Sequence, residues 1–181
     1  MSEARNELWL AMNITDPMTI AMLKNSQTNA KQIIPGDYVD DTSFHITIDY
    51  IGKETDDNVK KVQQAMQIFQ DNYAKDFPAF YVFASTLNRF DRGAAWLDVS
   101  GAFKLFQIRY IFDDIYKQVN YQHPERDFKS YVPHITMAFN TPEFAPIKMS
   151  KIPVLVDNVT LWNSPKVNDS YVNSFLNIIK L

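Results

Sequence analysis

Histidine occurs three times in 181 residues, and two of the three stand in one repeated tripeptide. These are His45-Ile46-Thr47 within FHITIDYIG and His134-Ile135-Thr136 within YVPHITMAFN. An imidazole gives or takes a proton near neutral pH, and a hydroxyl can hold an anionic oxygen. On a β-strand side chains alternate, so His45, Thr47 and Asp49 share one face while Phe44, Ile46, Ile48 and Tyr50 share the other. The second copy sets His134, Thr136 and Ala138 opposite Pro133, Ile135, Met137 and Phe139. Imidazole and hydroxyl then lie about 7 Å apart along a strand, close enough to touch one phosphate together.

Two such pairs around one phosphorus define a reaction. One neutral imidazole takes the proton of an attacking water, the other, protonated, donates to the departing ribose oxygen, and the threonine hydroxyls hold the non-bridging oxygens. The chemistry requires no metal and no cofactor, and neither histidine has a partner at zinc-ligand spacing. A single His-x-Thr on a strand is ordinarily a surface or satisfied core histidine. The duplication, on equivalent elements, carries the catalytic reading; His123, in a polar loop beside Pro124, keeps the ordinary one.

The surrounding pattern supplies the elements. Glu7 to Ile14 reads as a strand, Asp16-Pro17 as the N-cap and first position of a helix to about Ala30, and Ile34 to Asp37 as a turn. Phe44 to Ile51 is the first His-Ile-Thr strand. Thr55 opens a helix with Val59, Val62, Met66, Phe69 and Tyr73 at helical spacing, and Gly101 to Val119 repeats the spacing with Leu105, Ile108, Phe112, Ile115 and Val119. Phe77 to Thr86 and Ala94 to Val99 read as a hairpin about the polar turn Asn88 to Gly93. A polar loop, Asn120 to Ser130, precedes the second motif strand; Ile152 to Trp162 reads as one further strand, and Tyr171 to Leu181 as an apolar terminal stretch.

The order Trp9-Leu10, helix, His45-Ile46-Thr47 returns as Trp96-Leu97, helix, His134-Ile135-Thr136. This weak repeat predicts an α+β, bilobal fold over residues 1–181: two pseudo-symmetric antiparallel sheets in a single domain, helices packed outside, with both histidines facing a central cleft.

Composition narrows the function classes. With 46% hydrophobic and 14% aromatic residues the chain can bury a core, and without cysteine it has no disulfide, thiolate or zinc-ribbon chemistry. A net charge of -3 argues against gripping long duplex nucleic acid, leaving a small nucleotide or short oligonucleotide as the expected partner. The start MSEARNELWL lacks signal-peptide character and no apolar run is long enough for a membrane span, so a cytoplasmic monomer is expected. The four glycines assemble neither a P-loop nor a dinucleotide fingerprint.

The paired motif resembles that of the 2H (two-histidine) phosphoesterase superfamily, and the chain around it resembles the 2′-5′ RNA ligase-like, or cyclic phosphodiesterase, branch. Trp9 to Ile14 is similar to that family's opening strand, Phe90 to Val99 (FDRGAAWLDV) to its central strand, and Phe44 to Gly52 and Tyr131 to Phe139 to its two motifs. The resemblance implies metal-independent attack on 2′,3′-cyclic phosphates or 2′-5′ linkages by His45, Thr47, His134 and Thr136, with His134 as base and His45 as acid. It also brings Phe90 and Tyr131 to the substrate. In the family a basic residue commonly stands five positions after the second histidine; here Phe139 stands there, with Tyr50 its counterpart after the first. These two rings either stack on a base or pack into the core. Arg89, with Arg92, Lys53 and Lys129, is a candidate phosphate contact. Two rival readings are a hydrolase of cyclic oligonucleotide messengers and a nucleotide- or RNA-binding module without turnover.

Overall fold

The computed structural model describes residues 7–122, 131–164, 166–167, 170–171 and 174–181. His123, Lys129 and most of their polar loop lie outside the described residues. Local signals place the helices. The Asp16 carboxylate accepts the Thr19 N–H at 2.7 Å, and Pro17 takes the first position of α1 (Pro17–Lys31), where its missing N–H costs nothing. Thr55 caps α2 (Asp56–Asn72) through the Asn58 N–H, with Asp56 and Asp57 at the positive end of the helix dipole. The helix α3 (Phe103–Gln118) completes the set.

The strands are β1 (Glu7–Asn13), β2 (Asp37–Tyr38), β3 (His45–Lys53), β4 (Phe80–Arg89), β5 (Ala95–Ser100), β6 (His134–Phe139), β7 (Ile147–Val156), β8 (Asn158–Ser164), β9 (Lys166–Val167), β10 (Ser170–Tyr171) and β11 (Ser174–Lys180). Nine of them form one antiparallel sheet in the order β11-β8-β1-β3-β6-β5-β4-β7, with β2 added beside β6; β9 and β10 pair separately. The fold is α+β, and its strand order is symmetric about the β3–β6 junction, with β1 outside β3 as β5 lies outside β6. The two expected sheets are continuous, joined where Ile46 lies opposite Ile135.

The expected single strand Ile152 to Trp162 is two. Its apolar residues change phase at Asp157, from Ile152, Val154 and Val156 to Val159 and Leu161. The chain there leaves β7, beside β4, and enters β8, between β1 and β11. Since one residue cannot span a flat sheet of this width, the sheet curls enough to bring the end of β7 beside the start of β8. Asn158, fully buried, fastens this corner: its amide donates to the Asn13 carbonyl at 2.8 Å and its Oδ1 accepts the Asn13 N–H at 3.0 Å.

The buried stripes of α2 and α3 meet at Phe69 and Phe112, whose rings stack 4.8 Å apart. The helix α3 also packs on β3, and α1 on β7. Across the sheet centre Met12, Ile46, Ile135 and Leu97 form one row, each at most 1% exposed. That row fixes which face of the sheet is core. Among the described residues no helix is long and apolar enough to cross a membrane.

Candidate active site

Because Ile46 and Ile135 face the core, their neighbours His45, Thr47, His134 and Thr136 face the other way. Antiparallel pairing at Ile46–Ile135 sets His45 across from Thr136 and Thr47 across from His134. The motifs therefore interlock: each histidine faces the threonine of the other copy. The four Cα atoms outline a rectangle of about 5 by 7 Å, with the imidazoles at diagonal corners.

The two rings are held alike. The Nδ1 of His45 lies 2.7 Å from the Ser43 carbonyl and that of His134 lies 2.7 Å from the Val132 carbonyl, in each case two residues upstream. A carbonyl only accepts, so Nδ1 carries the proton and Nε2 is left to the cleft. Burial pushes the His45 imidazole below its ordinary pKa, the hydrogen bond to Ser43 opposes this, and the nearby His134 adds a further downward push. Burial likewise lowers His134 against its bond to Val132. Aromatic walls cause the desolvation. His45 lies against both Trp9 and Trp162, at 6.2 and 5.7 Å, while His134 meets Phe90 and Trp96 edge-on at 5.0 and 5.7 Å. Sequence reasoning missed Trp162; its signal was a tryptophan inside an apolar strand, and β1–β8 pairing sets it opposite Trp9.

Strict alternation puts Tyr50 and Phe139 on the core side, and the structure overrules it. In β1–β3 pairing Leu10 faces Asp49 and Ala11 faces Thr47, so Ile48 is an extra, bulged residue. In β5–β6 pairing Ala95 faces Ala138 and Trp96 faces Thr136, so Met137 is extra. Both bulges stand three residues after the histidine. Each flips the pleat once and returns the aromatic residue five positions after the histidine to the cleft face. Phe139 is 50% exposed. The register also corrects the sequence repeat: Trp9 faces Tyr50 but Trp96 faces Thr136, so Met12, not Leu10, is the counterpart of Leu97.

Past the Ile46–Ile135 pair, side chains satisfy the carbonyls of β3. The Tyr131 hydroxyl donates to the Thr47 carbonyl at 2.9 Å, Arg109 Nη1 to the Ile48 carbonyl at 3.1 Å and the Tyr121 hydroxyl to the Ile51 carbonyl at 2.6 Å. Arg109 is 6% exposed; its Nη2 lies 3.7 Å from the carboxylate of Asp49, and its guanidinium sits 4.6 Å from the Tyr131 ring centre. Burial drives the Tyr131 phenol well above its ordinary pKa. Arg109 is the cation that sequence reasoning overlooked. Four residues after Leu105 and three before Phe112, it lies on the apolar stripe of α3, where a charge needs a partner.

Two cavities flank the quartet. Thr47 and His134 line one of about 180 Å³ together with Tyr50, Phe90, Arg109 and Tyr131. His45 and Thr136 line one of about 940 Å³ together with Trp9, Tyr38 and Phe139. Of the other residues expected to bind substrate, Arg89 lines neither cavity; its Nε donates to the Thr141 carbonyl at 3.2 Å and secures the turn at Gly93. Arg92 and Lys53 are exposed and line neither. Among the described residues no three His, Cys, Asp or Glu side chains gather as a metal site.

No protein-family profile matches this chain. Nor does any curated protein sequence. Solved structures do match. Escherichia coli LigT, crystallised with 3′-AMP, is 16% identical over 99% of both chains with a TM-score of 0.71. TT0787 of Thermus thermophilus is 16% identical over 97% of both chains at a TM-score of 0.77. The PDE domain of MHV ns2 is 16% identical, covering 84% of this chain and 99% of its own, at 0.56. The fold of this chain is that of the LigT-like two-histidine phosphoesterases.

Proposed function

We propose that the chain is a metal-independent phosphodiesterase that hydrolyses 2′,3′-cyclic phosphates or 2′-5′ linkages of small nucleotides. The observation that carries this reading is the diagonal quartet, with each ring held through Nδ1, each histidine across from the threonine of the other motif and a cavity on either side. The substrate phosphorus sits over the Ile46–Ile135 crossing. Water attacks phosphorus as its proton passes to Nε2 of His134; the bond from phosphorus to one ribose oxygen breaks, and that oxygen takes the proton from Nε2 of a protonated His45. Thr47 and Thr136 donate to the non-bridging oxygens. The phosphate's own charge favours the protonated form of His45 that the step needs.

Cavity size supports this division of roles. About 940 Å³ beside His45 falls in the range of small-molecule sites and suits the leaving nucleoside. About 180 Å³ beside His134 suits an attacking water. That LigT crystallises with 3′-AMP, ATP and NADP+ fits a small-nucleotide ligand.

Purified protein incubated with 2′,3′-cyclic AMP in excess EDTA tests the reading. A single nucleotide monophosphate is the expected product, with 2′- or 3′-linkage identifying the oxygen released. A pure, folded enzyme that leaves cyclic nucleotides and 2′-5′ dinucleotides alike untouched sinks it.

A further inference from the structure

The two cavities differ in charge as well as size. Around the 940 Å³ cavity stand the carboxylates of Glu7, Asp37 and Asp40, with no lysine or arginine among the described lining residues. Two of these charges are fixed in place. Asn140 Nδ2 donates to Asp37 at 2.6 Å, and Asp40 accepts from the Thr42 hydroxyl and N–H at 2.7 and 2.9 Å, bonds that hold its carboxyl below the ordinary range. Two lysines stand nearby without lining the cavity. Lys24 pairs with Asp41 at 2.7 Å, and Lys31 lies over the Tyr38 ring at 5.1 Å and lines the adjoining depression. Three aromatic rings also line it, Trp9, Tyr38 and the half-exposed Phe139. The cavity beside His134 instead holds a cation and an anion together, Arg109 and Asp49, 3.7 Å apart.

We infer that the large cavity is a nucleoside subsite that accepts a base and ribose but rejects a second phosphate. The substrate class is then a phosphodiester whose leaving nucleoside is phosphate-free, such as a mononucleoside 2′,3′-cyclic phosphate without a 5′-phosphate. The orientation rests on the function proposed above, in which the leaving nucleoside lies on the His45 side. Aromatic rings offer every base a stacking surface. Carboxylates within several ångströms of a 5′-phosphate repel it, reducing productive binding by about tenfold, and salt screens the effect. A chain of phosphates entering from this side meets the same field at each step.

The test compares kcat/KM for adenosine 2′,3′-cyclic phosphate with that for its 5′-phosphorylated form, at low and high salt. The expected result is about a tenfold deficit for the 5′-phosphorylated substrate at low salt, narrowing at high salt and in Glu7→Gln. In parallel, calorimetry compares adenosine 2′-monophosphate with adenosine 2′,5′-bisphosphate, and the monophosphate binds more tightly. A 5′-phosphorylated substrate cleaved equally well, a bisphosphate bound as tightly, or neither nucleotide bound overturns the subsite. Loss of turnover on both substrates with the binding preference retained overturns the catalytic reading and supports the subsite.

Discussion

The surroundings of His45 and His134 are two versions of one construction. Each ring donates Nδ1–H to the carbonyl two residues upstream, each strand bulges three residues after its histidine, and each then turns an aromatic side chain to the cleft. Their walls differ. Beyond the crossing, β2 pairs with β6 on the His45 side, whereas on the His134 side Arg109 and Tyr131 reach the carbonyls of β3 directly. A short backbone segment leaves open space, and packed side chains fill it. The histidine–threonine pairs are thus duplicated in this chain while the cavities beside them differ in size and lining.

The largest effect that tests the comparison falls on the histidines. His45→Ala and His134→Ala each lower kcat on a cyclic nucleotide by about 10² to 10⁴. The assignment separates them: with a 4-nitrophenyl phosphodiester, whose leaving group needs no proton, His45→Ala recovers most of its loss and His134→Ala does not. Recovery in His134→Ala alone reverses the acid and base.

Next is Arg109, on the side without a counterpart. Arg109→Met removes the guanidinium 3.7 Å from the buried Asp49 carboxylate and its hydrogen bond to the bulge carbonyl of Ile48, costing about 3–5 kcal/mol in denaturant unfolding. The corresponding change at exposed Lys53 shifts stability by about 0.5 kcal/mol or less. Equal losses at the two positions would show that the buried pair has no structural role.

A smaller effect separates the bulge aromatics. Phe139→Ala, in the large cavity, raises KM for a cyclic nucleotide by roughly 5- to 100-fold, the worth of one base stacked on a ring. Tyr50→Ala, in the small cavity, acts mainly on kcat. A larger KM effect at Tyr50 assigns the nucleoside to the other side.

The smallest effect is on pH. Both imidazole pKa values are depressed, so the kcat/KM optimum of the free enzyme lies below about pH 6.5. Linkage has a definite sign: the unfolded chain binds protons that the buried rings resist, so their contribution to stability is present above about pH 6.5 and is lost as pH falls through the folded values. Resistance of the native protein to thermal unfolding therefore weakens on acidification, and a His45→Gln, His134→Gln double variant flattens that slope.

Much of the site was legible in the linear chain, and the reasons are local. The helix caps at Asp16 and Thr55, the stripes of α2 and α3, and the common face of each histidine with its threonine depend on residues a few positions apart. Other features have no local signature. Arg89 was a plausible phosphate contact by type; in the fold its Nε donates to the Thr141 carbonyl and it lines neither cavity beside the quartet. The break at Asp157 shows in the sequence only as a change of apolar phase, because a strand's two ends read alike whether or not they join one sheet partner.

By itself the sequence determined that two imidazoles and two hydroxyls would lie on polar faces of two strands, since alternation belongs to the single chain. Only the tertiary structure decided that the motifs cross at Ile46 and Ile135, that bulges turn Tyr50 and Phe139 outward, and that Arg109 and Asp49 meet in one cavity while three carboxylates line the other. A bulge exists only relative to a partner strand, and the charge of a cavity only relative to every element that walls it. Both are properties of pairing between distant segments, which no local pattern of residues encodes.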